Sequence, residues 1–295
     1  ELNLNKIQNL VFSLDRSARY IPMAALFDGA NYLVEKYSIS TVLSAGLTDT
    51  ESRLPAGTAN TKVLGLGLSR PVAGFNALPN VPAELDVIIR NSSGDQKGIY
   101  PGKAFLNAEF DYRALRDNLQ GHNILHIATH GVFVPGKQDD SYLVLGTGEK
   151  LPIPRIDNLE DLSDVHLVVL SACETALGET AKDGVEIPGV SFYFLNRRAK
   201  AVMASLWLVD DASTRILMEQ FYASAASDPR PTKAQALRAA QLSLLGVSNG
   251  SGQASAQRGL AVQGRPTSSA PQPPTGVGYS HPYYWAPFIL IGNGL

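Results

Sequence analysis

The sequence holds one cysteine, Cys173, in 295 residues. No intrachain disulfide can form, so a small stapled scaffold is excluded, and a lone free thiol suits a reducing compartment such as the cytoplasm. No apolar run approaches the roughly 18 residues that a helical membrane span needs. Neither sign of charge is in excess: 25 Lys and Arg stand against 27 Asp and Glu. Bulk attraction to nucleic acid or an anionic membrane is therefore not expected. A basic-then-apolar leader is missing too. The chain starts at Glu1 rather than Met, so a processed product or a piece of a longer protein is expected. One cysteine and five scattered histidines give no zinc spacing, and no cofactor is expected.

What is present is ordinary globular material, 44% hydrophobic and 18% charged, enough to bury a sizeable core. Apolar runs at 7–15 and 19–25, a turn at Phe27-Asp28-Gly29-Ala30 and a strand at 32–37 suggest an antiparallel hairpin leading into 38–45. Residues 1–60 thus read as a hairpin-rich N-terminal unit. From residue 61 the pattern alternates. Strands are expected at 63–66, 104–106, 123–128, 165–170, 201–209 and 284–291, and a small hairpin at 142–148. Helices are expected at 82–90, 110–119, 190–196, 211–224 and 232–245. Near-continuous apolar strands alternating with helices mean an α/β fold, a mostly parallel sheet covered on both faces. Residues 246–280 are rich in Gly, Ser, Gln and Pro and read as a flexible insertion.

Chemistry in open parallel sheets collects beyond the carboxyl ends of strands. One strand here ends in Ala-Thr-His130-Gly131 and another in Ser-Ala-Cys173-Glu174. If the two are neighbours, His130 and Cys173 face one crevice and form a nucleophile–base dyad. Gly131 and Cys173 could each offer a backbone N–H to an oxyanion. Alone, each would more often be a packed residue; together at two strand ends, the dyad is favoured. Gly65-Leu-Gly67 lacks the third glycine and the lysine of a phosphate loop, which argues against a nucleotide-binding domain.

The words His126-Ile-Ala-Thr-His130-Gly, Leu167-Val-Val-Leu-Ser-Ala-Cys173-Glu-Thr, Ala204-Ser-Leu-Trp207-Leu-Val-Asp-Asp211 and His281-Pro-Tyr-Tyr-Trp285-Ala-Pro-Phe resemble the CHAT family. So does Arg19-Tyr-Ile-Pro-Met-Ala-Ala-Leu followed by Tyr32-Leu-Val-Glu. CHAT domains belong to the caspase, separase and gingipain group of cysteine peptidases. The resemblance implies a caspase-like three-layer sandwich over 61–295, catalysis by His130 and Cys173, and helical repeats upstream in a longer protein. Two stretches depart from the family pattern, Gly184-Val-Glu-Ile-Pro188-Gly and Asn196-Arg-Arg-Ala. Both flank the cleft and bear on substrate preference more than on chemistry.

Trp207, Asp210 and Asp211 end the strand after the cysteine strand. The similar segment in separases contributes to a pocket for arginine, which implies a pocket at Asp211. The competing reading makes an aspartate there a helix cap. Asp183 and Glu186 read as a mobile cleft wall or a solvated loop, and Glu174 as a support for that loop. His126 reads as a hydrogen-bonded core residue, His122 and His166 as surface residues, and Tyr283, Tyr284 and Trp285 as core packing. The expected function is a cytoplasmic cysteine endopeptidase with a protein substrate, cutting after a basic residue and held in check by an upstream sensor region. The alternative is an interaction module that keeps the fold without catalysis.

Overall fold

The computed structural model describes residues 6–44, 46, 48–55, 57–92, 94–132, 138–171, 186–227, 231–246, 257–258 and 278–295. The strands are β1 (Asn9–Ser13), β2 (Ser38–Val42), β3 (Val63–Gly67), β4 (Ile89–Arg90), β5 (Tyr100–Leu106), β6 (Ile124–Ala128), β7 (Gly131–Val132), β8 (Tyr142–Val144), β9 (Lys150–Pro152), β10 (Leu167–Leu170), β11 (Ala201–Ser205), β12 (Val209–Asp210), β13 (Gln257–Arg258) and β14 (Phe288–Gly292). The helices are α1 (Leu33–Lys36), α2 (Val81–Ile88), α3 (Tyr112–Asp117), α4 (Glu186–Asn196), α5 (Asp211–Ala225), α6 (Lys233–Gly246) and α7 (Pro282–Trp285).

Nine of these strands make one sheet in the order β1-β2-β14-β11-β10-β6-β3-β5-β4. From β11 to β4 every pairing is parallel. β14 then runs antiparallel to β11 and carries β2 and β1 parallel to itself. Alternation along each central strand divides two cores. Ile124 and Ala128 of β6 with Leu167 and Val169 of β10 pack toward α2, α5 and α6. Leu125, Ile127, Val168 and Leu170 pack on the other side with α3 and α4. This is the mostly parallel, two-faced α/β sandwich that the alternating pattern implied.

The helices bury stripes at helical spacing: Val81, Glu84, Leu85 and Ile88 on α2, and Thr214, Leu217, Met218, Phe221, Tyr222 and Ala225 on α5. Gly65 and Gly67 are where α2 lies on β3. A Cβ at Gly65 would come 2.3 Å from Ile89 Cδ1, and one at Gly67 2.7 Å from Val81 Cγ1. These glycines serve close helix–strand approach, not a phosphate.

The N-terminal region differs from expectation. The turn at Asp28 forms, with its Oδ1 accepting from the N–H groups of Ala30 and Asn31. The strand expected at 32–37 is instead α1, whose first turn closes when Glu35 Oε1 accepts from Tyr32 N–H at 2.6 Å. β1 and β2 pair in parallel, Asn9 opposite Ser38, so they extend the main sheet and form no antiparallel hairpin. The expected strand at 284–291 begins as α7, with Pro282 in its first turn, and only then becomes β14. Most of 246–280 lies outside the described residues; within it, Gln257 and Arg258 pair antiparallel with Asp210 and Val209. No helix among the described residues is long and apolar enough to cross a membrane.

Candidate active site

β6 and β10 are parallel neighbours, with Ile127 opposite Leu170. Ser171 N–H donates to Ile127 O at 2.9 Å, so the pairing continues one residue past β10. The parallel pairing therefore puts Thr129 and Ser171, the residues after the two strands, at the same end of the sheet. His130 follows β6 by two residues. Cys173 follows Ser171 by two residues in sequence and lies outside the described residues, as do Glu174 and Asp183. Glu186 opens α4, and its side chain is likewise outside them.

His130 is 3% exposed. Its Nε2 lies 2.9 Å from the carbonyl oxygen of Asn76. A carbonyl only accepts, so Nε2 carries a hydrogen in this contact. Phe75 stacks on the imidazole, with centroids 5.0 Å apart and planes 29° from parallel. On the chain side, His130 O accepts from Val144 N–H at 2.8 Å, and Thr129 Oγ1 donates to Val144 O. Gly131 pairs with Leu143 across β7–β8.

Phe75 and Asn76 sit on the segment between β3 and α2. Val72 and Phe75 exchange backbone bonds of 3.2 and 2.9 Å around a tight turn, where Gly74 has φ +86°. Asn107, at φ 54°, holds one end of the loop: its Oδ1 accepts from Ser69 N at 2.8 Å and Arg70 N at 3.1 Å. Asp211 holds the other end: its Oδ2 accepts from Asn80 N at 2.9 Å and from Asn80 Nδ2 at 2.8 Å.

Below His130 lies a dry polar group that the sequence reading found only in part. His126 is fully buried, as expected of a core histidine. Its Nδ1 lies 3.0 Å from Tyr222 Oη and its Nε2 2.9 Å from Glu84 Oε1. Ser171 Oγ donates to the same Glu84 oxygen at 3.2 Å. Burial, with the Glu84 charge, pushes the Tyr222 hydroxyl well above its ordinary range. It therefore stays protonated. Glu84 was missed, although it occupies an apolar-face position between Val81 and Leu85. A carboxylate in that register needs a buried partner.

The acidic pair divides the roles that the sequence left open. Asp210 is the N-cap of α5, its Oδ1 accepting from Ser213 N at 2.8 Å. Burial lifts its carboxyl above the ordinary value, against the Ser213 bonds that lower it. Asp211 is fully buried and bound to Asn80. Trp207 donates its Nε1 hydrogen to Tyr283 O at 3.0 Å. Tyr283, Tyr284 and Trp285 are buried in the core, as expected. His122 is not a surface residue: it is 7% exposed, packed where Leu119 and β6 meet, and burial pushes its imidazole down. Among the described residues no three His, Cys, Asp or Glu side chains converge as metal ligands would.

A comparison with curated protein sequences finds no match. Among solved structures the chain is similar to the Saccharomyces cerevisiae separase–securin complex, with a TM-score of 0.55, 12% identity and 94% of this chain covered. It is also similar to the complex of pro- and mature domains of the gingipain RgpB from Porphyromonas gingivalis, with a TM-score of 0.50, 9% identity and all of this chain covered. The chain spans 15% of the separase chain and 66% of the RgpB chain. At these identities the likeness is one of fold, the caspase-like sandwich. The CHAT domain family matches residues 1–293, and the chain belongs to that family.

Proposed function

We propose that this chain is a cysteine endopeptidase domain using His130 and Cys173. The observation that carries the reading is the orientation of His130. Its Nε2–H faces the Asn76 carbonyl, which supports Nδ1 as the basic atom; Ser171, two residues before Cys173 in sequence, still pairs with Ile127 beside the strand that leads to His130. In the reaction, Nδ1 takes the Cys173 Sγ proton and the thiolate attacks the substrate carbonyl carbon. The oxyanion is held by backbone N–H groups, for which Gly131 and Cys173 are the candidates. Collapse breaks the C–N bond as His130 returns its proton to the leaving amine. Water, deprotonated by His130, then releases the acyl group and restores the thiol.

The substrate on this reading is a protein, and an upstream helical-repeat or sensor region controls access. Separase with securin and mature RgpB with its pro-domain support a protein partner. A free reactive thiol suits a cytoplasmic setting. Asp183 and Glu186 remain candidates for the cleft wall. Cleavage after a basic residue is a narrower proposal, supported by the acidic Asp210–Asp211 pair beside Trp207. With Asp211 engaged by Asn80, Asp210 is the carboxylate nearer solvent for such a contact, at 7% exposure.

A fluorogenic peptide library tests both levels. Turnover is expected from the wild type and at least about 10³-fold less from Cys173→Ala and His130→Ala. Equal turnover by Cys173→Ala rejects the peptidase. A profile indifferent to Arg and Lys rejects only the basic preference.

A further inference from the structure

We propose that Asp211 is a positioning residue for His130. Through Asn80 it fixes the 69–80 loop, whose Asn76 carbonyl and Phe75 ring orient the base. The proposal rests on the peptidase reading and adds a component to it.

The cap of α5 is already made by Asp210 on Ser213. Yet Asp211 is fully buried, and burying a carboxylate is costly unless it is hydrogen-bonded. Two of its bonds cross 131 residues to Asn80, one to the backbone N–H and one to the side-chain amide. Two bonds from one residue to a carboxylate oxygen fix the direction of that residue as well as its place, and charge strengthens them.

Asn80 is the hinge between the loop and α2. From Asn80 back to Asn76 the chain has little slack. Pro79 fixes its own φ and restricts Leu78. Leu78 is fully buried and donates to Ser69 O at 3.0 Å, closing the loop neck. Phe75 is pinned by the paired bonds with Val72. Asp211 at one end and Asn107 at the other thus hold a short, cross-braced loop against the His130 ring. The Asn76 bond is 2.9 Å, so a shift of about 1 Å would break it. His130 would then populate the other tautomer, with Nδ1 protonated and unable to accept.

Cys173 is the only thiol in the chain, so its alkylation by iodoacetamide reads the dyad without a substrate. A thiol coupled to His130 alkylates at a pH below that of a free cysteine, about 8.5. In the wild type the pH–rate midpoint should lie below that value, and His130→Ala should move it there. Asp211→Ala should move it in the same direction and slow alkylation at pH 6.5 by at least about ten-fold. Asp211→Asn, whose amide oxygen can still accept from Asn80, should recover to within about three-fold of wild type. Loss of an unrelated structural contact would lower the melting temperature without moving the midpoint. Should Asp211→Ala not fold, Asn80→Ala removes the side-chain donor alone and carries the same test. A shifted midpoint supports the proposal, and a wild-type midpoint overturns it.

A wild-type midpoint in the Asp211→Ala protein, beside a shifted His130→Ala profile, overturns the positioning role and leaves the dyad standing. A wild-type thiol that titrates as free cysteine and ignores His130→Ala overturns the peptidase reading, and this proposal with it.

Discussion

Glu84 is the residue on which most of the buried polarity near His130 converges. It receives the His126 imidazole and the Ser171 hydroxyl on one oxygen, in a place with no exposed surface. Removing one partner from such a group is worse than removing the whole, because the partners left behind stay dehydrated. Glu84→Ala should therefore destabilise the fold by about 3–5 kcal/mol. Glu84→Gln, which keeps an acceptor at Oε1, should cost clearly less. Urea unfolding of the two variants checks this, and equal losses would count against the network. Ser171 lies two residues before Cys173, so a partly unfolded network at Glu84 would disturb the chain that leads to Cys173. The residue was open to detection in the sequence, as an acid in the apolar register of α2. What sequence could not supply was the partner, since His126 comes 42 residues later and Tyr222 later still.

At the scale of elements, α5 shows why neighbouring acids can differ. Asp210 has the extended backbone of a cap, φ −71° and ψ 131°, and its side chain turns back to Ser213. Asp211 is the first helical residue, and its side chain reaches out of the helix to Asn80. Two adjacent acids before a helix offer two caps on paper, and only the third dimension chooses between them. Burial raises the Asp210 carboxyl above the ordinary 3.8. Between 3.8 and the raised value the folded chain binds more protons than the unfolded one, so stability falls as pH rises through that window, and the penalty persists above it. Asp210→Asn keeps a good cap and has no proton to lose, so its stability should lack that acid-side slope. Asp210→Ala also lacks the slope but should lose about 1 kcal/mol through the missing cap. Thermal melts between pH 4 and 7 separate the three proteins; a slope that survives in Asp210→Asn would show that another group causes it.

Over the whole molecule, the central strands β3, β6, β10 and β11 were legible because each is buried on both faces and reads as a short apolar run. The ends were not. β1, β2 and β14 join the sheet edge through pairings of distant residues, Ile291 with Thr41 and Asn9 with Ser38, and no local pattern specifies direction there. The same closure buries Lys233 at the start of α6. Its Nζ donates to the Leu295 carbonyl, while Ala234 N–H donates to Gly294 O at 3.0 Å and Asn293 Nδ2 to Ser52 O at 2.7 Å. Burial pushes the Lys233 ammonium from 10.5 down to about 8, with Asp49 opposing the fall and Arg53 adding to it. Below about pH 8 both folded and unfolded chains hold that proton, and the burial cost is fully in place. Between about 8 and 10.5 the fold releases it while the unfolded chain keeps it, so this group's contribution to stability improves as pH rises. Lys233→Met, of similar length and without charge, has no such cost to relieve. It should melt above the wild type at pH 7, and the gap should narrow steadily toward pH 10. A gap that stays constant across that range would mean the ammonium is solvated in the fold, and that the sheet edge is looser around α6 than these contacts imply.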